Sequence, residues 1–410
     1  VLGVDLVVRN ARLRGRKGSY DIGIMGSKIV EVKEEISGTA SEELDAQGCL
    51  ALPAFIDPHI HLDKVLVIDR IRPNVSGTLQ EAIEILWEAK SRYTTEDVKS
   101  RARKVIEMEV KHGVTRIRTH VDVDPICGLT PLRALLELKQ EVKDLVDLQV
   151  VAFPQEGIVQ SEGTEELLYK AMELGADVVG GMPHNEMTDD DSKKHVDIVF
   201  EIAKHFNADI DAHVDETDDP YSRCVEYMAA KAIKENYKGR VSADHVCALA
   251  SYDDYHAAKV VSLIKKAEMN VETNPETNAV LEGRLDTYPK RRGLTRVKQL
   301  LKAGVNVTYG QDCVKDAFYP FGKADPLLTG FVLALFEQMT TPEEIGKIID
   351  MCTYNAAKMI GVASEYGIEP GKRADIVVVK AENELEAIRL QPPRLFTIKA
   401  GKITYRHNRV

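Results

Sequence analysis

Through the middle of the chain, short apolar runs alternate with longer stretches whose apolar residues recur every three or four positions. The runs fall at 50–61, 114–123, 147–155, 176–184, 208–215, 240–246, 270–275 and 305–312. Their length and composition read as strands, and the periodic stretches between them read as helices. The clearest helix is "TTEDVKSRARKVIEMEVKHG". Val98, Ala102, Val105, Ile106 and Val110 share one face, Thr94 and Asp97 form a capping-box pattern, and Gly113 ends the segment. Eight strand–helix alternations in roughly 300 residues predict an α/β protein, a (β/α)8 TIM barrel. An open doubly wound sheet fits less well, because no glycine-rich phosphate turn follows any strand.

Both ends of the chain break this rhythm. "VDLVVRNARL" and "SYDIGIMGSKIVEV" near the start, and "RADIVVVKAEN" and "RLFTIKAGKITYRH" near the end, read as short strands. Gly26–Ser27, Gly371–Lys372 and Gly401–Lys402 punctuate them as turns. The termini are therefore expected to build a small β-sandwich from 1–53 and 363–410, around a catalytic barrel at 54–362.

Charge and composition narrow the class. A net charge of −11 argues against nucleic-acid or anionic-membrane surfaces. No apolar run approaches the ~20 residues of a membrane helix, and the first residues lack the pattern of a secretory leader. The six cysteines form no Cys-x-x-Cys pair, which points to reduced thiols and a cytoplasmic protein.

The strand ends carry the chemistry. "DPHIHLDK" holds His59 and His61, which project to one face because strand side chains alternate. Alone, this pair fits hydrogen-bonded structural histidines as well as metal ligands. Later strands add His213, Glu216, His245, Asp312, Gln155, His184 and Glu186 at their ends, and the C-terminal ends of barrel strands are where such folds place active sites. His59, His61, His213 and Asp312 would form a site of three imidazoles and one carboxylate, suited to Zn²⁺ or Fe²⁺. A catalytic metal keeps one position open for water and lowers that water's pKa. His120 in "RTHVDVD" reads as a supporting residue. His112, His195, His205, His256 and His407 read as surface or packing residues.

Taken together, "DPHIHLDK", "GVTRIRTHVDVD", "DLQVVAFPQEGI", "LGADVVGGMPHNE", "DAHVDETDD" and "GRLDTYPKRRGLTRVK" make the chain resemble the amidohydrolase superfamily over nearly its whole length. Within it the chain resembles bacterial metal-dependent cytosine deaminases more than the related triazine amidohydrolases. The resemblance implies one divalent ion, Zn or Fe, held by His59, His61, His213 and Asp312. The fourth strand ends "GGMPHNE", without the lysine that bridges two metals in many relatives. The resemblance also implies a homo-oligomer and a small nucleobase-like substrate. It casts Glu216 as the proton carrier, His245 and Asp312 as its catalytic partners, and Gln155 as a contact for an N–C=O edge.

The pattern departs from that family after Asp312. Cys313 stands where cytosine deaminases have a second aspartate, and Phe318 where they have a tryptophan. A smaller, neutral side chain there leaves cytosine, 5-methylcytosine, isocytosine and creatinine all open as substrates. A phosphoesterase is disfavoured because no cationic phosphate clamp is visible. A dead scaffold relative would have lost a ligand or Glu216, and neither is lost. The H-x-E with P-C-x-x-C signature of nucleic-acid-editing deaminases is absent.

Overall fold

A computed structural model describes residues 4–38 and 40–407. Eight strands pair in sequence order, all parallel: β1 (Phe55–Ile60), β2 (Val114–Asp122), β3 (Asp147–Phe153), β4 (Val178–Gly181), β5 (Asp209–Val214), β6 (Val241–His245), β7 (Asn270–Thr273) and β8 (Asn306–Tyr309). Past the end of β8 the chain meets β1 at a single parallel bridge, Ile60 with Asp312. There the His61 N–H donates to the Asp312 carbonyl at 3.0 Å, and the Asp312 N–H donates to the His59 carbonyl at 2.8 Å. The barrel is nearly closed, and its seam runs through the histidine pair and Asp312.

The apolar run at 50–61 is not one strand. Leu50–Pro53 pairs with Ile376–Val379 in a different sheet, whereas Phe55–Ile60 enters the barrel. Pro53, the last residue of the first piece, has no N–H to carry its ladder onward, whereas Pro58 sits inside the barrel strand, where the pairing with β2 shifts register. At the change-over the Ala54 N–H goes to the Asp375 carbonyl and the Phe55 N–H to the Gly113 carbonyl.

Two helices precede β2: α1 (Leu79–Lys90) and α2 (Thr95–Lys111). The five apolar residues expected on one face of α2 are all buried. Each contributes on the order of 1–3 kcal/mol by leaving water. The capping box forms by half. Thr94 accepts from the Asp97 N–H at 3.2 Å, but the Asp97 carboxylate turns to Arg70 and Arg101. Gly113 follows at φ +93°, where a Cβ would meet Val377 at 2.5 Å, so the turn into β2 requires glycine.

Strands from both termini form a second, mostly antiparallel sheet: Leu6–Leu13, Tyr20–Met25, Lys28–Lys33, Glu42–Asp45, Leu50–Pro53, Ile376–Val379, Arg394–Lys399 and Lys402–Arg406. The sheet doubles back on itself. Gly401, near one end of the strand order, approaches Gly26 at the other so closely that a Cβ would meet its carbonyl oxygen at 2.0 Å. Between the last strands lies a helix the β-like pattern concealed, Glu384–Leu390, capped by Asn383, whose side chain accepts from the Glu386 N–H at 3.0 Å.

Ion pairs tie this sheet to the barrel. Arg116 of β2 reaches Asp375 at 3.2 Å, and Arg394 pairs with buried Asp325 while donating to the His112 carbonyl at 2.9 Å. Among the described residues no helix is long and apolar enough to cross a membrane.

Candidate metal centre and pocket

Four buried donors converge at the seam. His61 Nε2 lies 3.0 Å from His213 Nε2, and Asp312 Oδ1 lies 3.4 Å from both His59 Nε2 and His61 Nε2. Ligands about 2.0–2.1 Å from a tetrahedral Zn²⁺ stand about 3.3 Å apart, so the spacing fits one ion. His59 is 0 % exposed, and neither ring nitrogen has a hydrogen-bond partner.

The surroundings call for positive charge. His59 Nδ1 is 3.1 Å from Asp244 and 3.4 Å from Glu272, both 0 % exposed, with Asp312 opposite. Burial works against the charged ring, yet Glu272 and Asp244 hold the His59 pKa well above its usual value. Several buried carboxylates without enough cations are costly, and a dication among the imidazoles would offset them. Asp244 and Glu272 also occupy the positions from which outer carboxylates orient metal-binding imidazoles. Burial and then the Lys64 ammonium push His61 well below its usual value, so that ring stays neutral with a lone pair to give.

His120 sits behind this cluster. Its ring lies 4.2 Å from that of His59, and its Nε2 is 3.2 Å from the same Asp244. It does not line the pocket.

In front of the donors is a small pocket. His61, His213 and Asp312 form its floor, with Gln155, Glu216, His245, Cys313 and Phe318 around them. Of the residues expected to bind metal, substrate or protons, all line it except His59, which lies beneath. Backbone reversals bring several of them in. Asp215, His245 and Asp312 all take left-handed φ, at 54°, 66° and 64°. Asp and His tolerate that region better than most residues. The turn at Asp215 is locked by its carboxylate, which accepts from Ser222 and from the Cys224 and Val225 N–H groups. Glu216 is thereby swung off the strand direction and into the pocket.

Glu216 is 4 % exposed; Asn278 donates to it at 3.2 Å and His245 Nδ1 lies 3.3 Å away. Burial, then the charge of Asp312, pushes its carboxyl well above the usual range, which favours the proton-carrying form. Burial holds His245 near about 3, so its ring is neutral. Gln155 is 3 % exposed and its Nε2 has no partner in the protein, leaving a donor free at the pocket. Cys313 Sγ lies 3.5 Å from Asp312 Oδ1. With Phe318, Phe153, Met182 and Leu281 it belongs to an apolar cluster along the wall.

Two strand-end residues stand elsewhere. Glu186 accepts from three consecutive N–H groups, Ile158, Val159 and Gln160, and lies 2.7 Å from His195 Nδ1. It clamps the loop after Gln155, and buried His195 is its packing partner. His184 lies at the edge of the wider cleft, with both ring nitrogens buried and without a partner in the protein.

Sequence reasoning missed Phe153, whose ring stacks on His213 at 4.2 Å, and the supporting residues Lys64, Lys90, Asp122, Asp124, Asp244, Glu272 and Asn278. Asp122 and Asp124 alternate in "HVDVD" as the histidines do in "HIH", a signal that was available. Nothing in the chain marks Lys90 as buried.

Known proteins share this architecture. The model of the Amidohydrolase family matches residues 66–410. A crystal structure of 5-methylcytosine deaminase from Klebsiella pneumoniae, liganded with 5-fluorocytosine, superposes with a TM-score of 0.94 at 38% identity, covering 98% of each chain. N-isopropylammelide isopropyl amidohydrolase from Pseudomonas sp. is 33% identical over 97% of this chain and 96% of its own. Pterin deaminase from Rhizobium rhizogenes is 28% identical over 95% and 90%.

Proposed function

We propose that this chain, which belongs to the amidohydrolase family and is a hydrolase acting on carbon–nitrogen bonds, deaminates an aminopyrimidine of the cytosine type, with 5-methylcytosine preferred over cytosine. One observation carries the substrate choice. The pocket wall at Cys313 is small, neutral and apolar, while Gln155 and Glu216 offer polar groups that can read and protonate a ring. A methyl group gains from the apolar wall, and Cys313 itself offers the exocyclic amine no charged acceptor, while the buried Asp316 carboxyl beside it does not line the pocket. The likeness to 5-methylcytosine deaminase supports the same reading.

His59, His61, His213 and Asp312 would hold a single Zn²⁺ or Fe²⁺. When bound, it lowers the pKa of water so that water can attack a ring carbon at neutral pH. The chain's residues handle the rest. Gln155 orients the ring through its amide. Asp312 takes the proton that water loses. Glu216 delivers its proton to the ring nitrogen as the new C–O bond forms, then passes the proton held by Asp312 to the amine as the C–N bond breaks and ammonia leaves; the proton of the added hydroxyl returns to Glu216 as the carbonyl forms. His245, fixed by Asn278 at 3.2 Å, stabilises the charge developing at the attacked carbon.

An ammonia-release screen tests the proposal. With cytosine, 5-methylcytosine, isocytosine, creatinine and an amino-triazine, the greatest kcat/KM is expected for 5-methylcytosine. Greatest turnover of creatinine or the triazine would overturn it. Cys313→Asp is expected to move the ratio of cytosine to 5-methylcytosine kcat/KM towards cytosine by about tenfold or more. An unchanged ratio would remove Cys313 as a determinant.

A further inference from the structure

Behind the pocket, one ammonium collects three carboxylates. Lys90, the last residue of α1, is 2 % exposed. Its Nζ donates to Asp124 at 2.6 Å, to Glu156 at 2.6 Å and to Asp122 at 3.1 Å. The three acids come from the end of β2, the loop after it and the loop after β3. Their oxygens lie close enough together to hold a metal ion. A lysine has three N–H donors on one point charge, so its side chain fills that cage as a built-in cation.

The contacts run onward in two directions. The other oxygen of Asp122 accepts from Lys64, whose Nζ lies 3.3 Å from His61 Nδ1. Glu156 directly follows Gln155, and its second oxygen accepts from Trp87 Nε1 of α1 at 2.6 Å. One path ends at a donor on the pocket floor, the other at the residue with a free amide facing the same pocket.

We propose that Lys90 is a positioning residue that holds His61 and Gln155 in register across the pocket. Two loops and a helix end would otherwise carry these groups independently, with three buried negative charges driving them apart. The ammonium turns that repulsion into a fixed point. The proposal rests on the reading above only for its kinetic part.

Lys90→Met, which keeps the length but removes the charge, and Glu156→Gln, a milder change, provide the test. Metal affinity is read by chelator competition, and KM and kcat by ammonia release from 5-methylcytosine. Outer supports of metal ligands typically matter by 10–100-fold, so Lys90→Met is expected to weaken metal binding by about that factor. Glu156→Gln is expected to raise KM about tenfold with a smaller change in kcat, because it loosens the Gln155 side. If Lys90→Met does not fold, the KM shift of Glu156→Gln decides. Lower thermal stability with unchanged metal affinity and KM in the folded variants would overturn the proposal and leave Lys90 as a fold residue only. Metal affinity is measured without substrate, so failure of the substrate assignment would show separately, as absent turnover by the unaltered enzyme.

Discussion

Glu216→Gln is expected to lower kcat by about 10²–10⁴-fold while the protein keeps its fold and its metal. The carboxyl is not one of the four donors at the seam, so its replacement leaves them in place. Glutamine can still accept from Asn278, whose Nδ2 now donates to Glu216 at 3.2 Å. What it cannot do is carry a proton. Burial and the nearby Asp312 charge favour the protonated carboxyl, the form that gives a proton to a ring nitrogen. Steady-state kinetics with metal analysis on the same sample check this. Turnover within a few fold of the unaltered enzyme would place the proton transfer elsewhere, with His245, 3.3 Å away, the next group to test.

Removal of the metal is expected to abolish turnover altogether, and one equivalent of Zn²⁺ or Fe²⁺ per chain to restore it. The expected count rests on the proposed four-donor site: His59, His61 and Asp312 lie close enough to share one ion, and His213 Nε2 is 3.0 Å from His61 Nε2. The carboxylate cage of Asp122, Asp124 and Glu156 already contains Lys90. The strand end at Met182–Pro183 offers no lysine to bridge a second ion. His213→Ala removes one imidazole and is expected to lose both metal and activity with the barrel intact. Elemental analysis giving two equivalents per chain, or full activity after exhaustive chelation, would contradict the single-ion site.

Much of the barrel was legible in the sequence because strands and helices have different periods, and eight alternations leave few architectures. The helix at Glu384–Leu390 was not, because seven residues beside strands give too short a pattern to separate the periods. The run at 50–61 showed the same limit. An apolar pattern marks a strand but not its sheet, and only the partners of Ala54 and Phe55 divide it. In the site, residue type and strand-end position were enough to collect the histidines, Asp312 and Glu216. Glu186 met the same criteria and proved to be a loop clamp, since backbone N–H groups reached it first.

The sequence by itself determined the alternation of elements, the pairing of His59 with His61 on one strand face, and the presence of Cys313 beside Asp312. Those facts are local, set by periods of 2 and 3.6 and by chain order. Only the tertiary structure decided that the barrel's seam passes through the donors, that left-handed turns at Asp215 and His245 aim side chains inward, and that Lys90 is buried among acids. Such facts depend on which distant groups share a neighbourhood once water is excluded. Charge and hydrogen bonding act there through space, and no spacing along the chain records them.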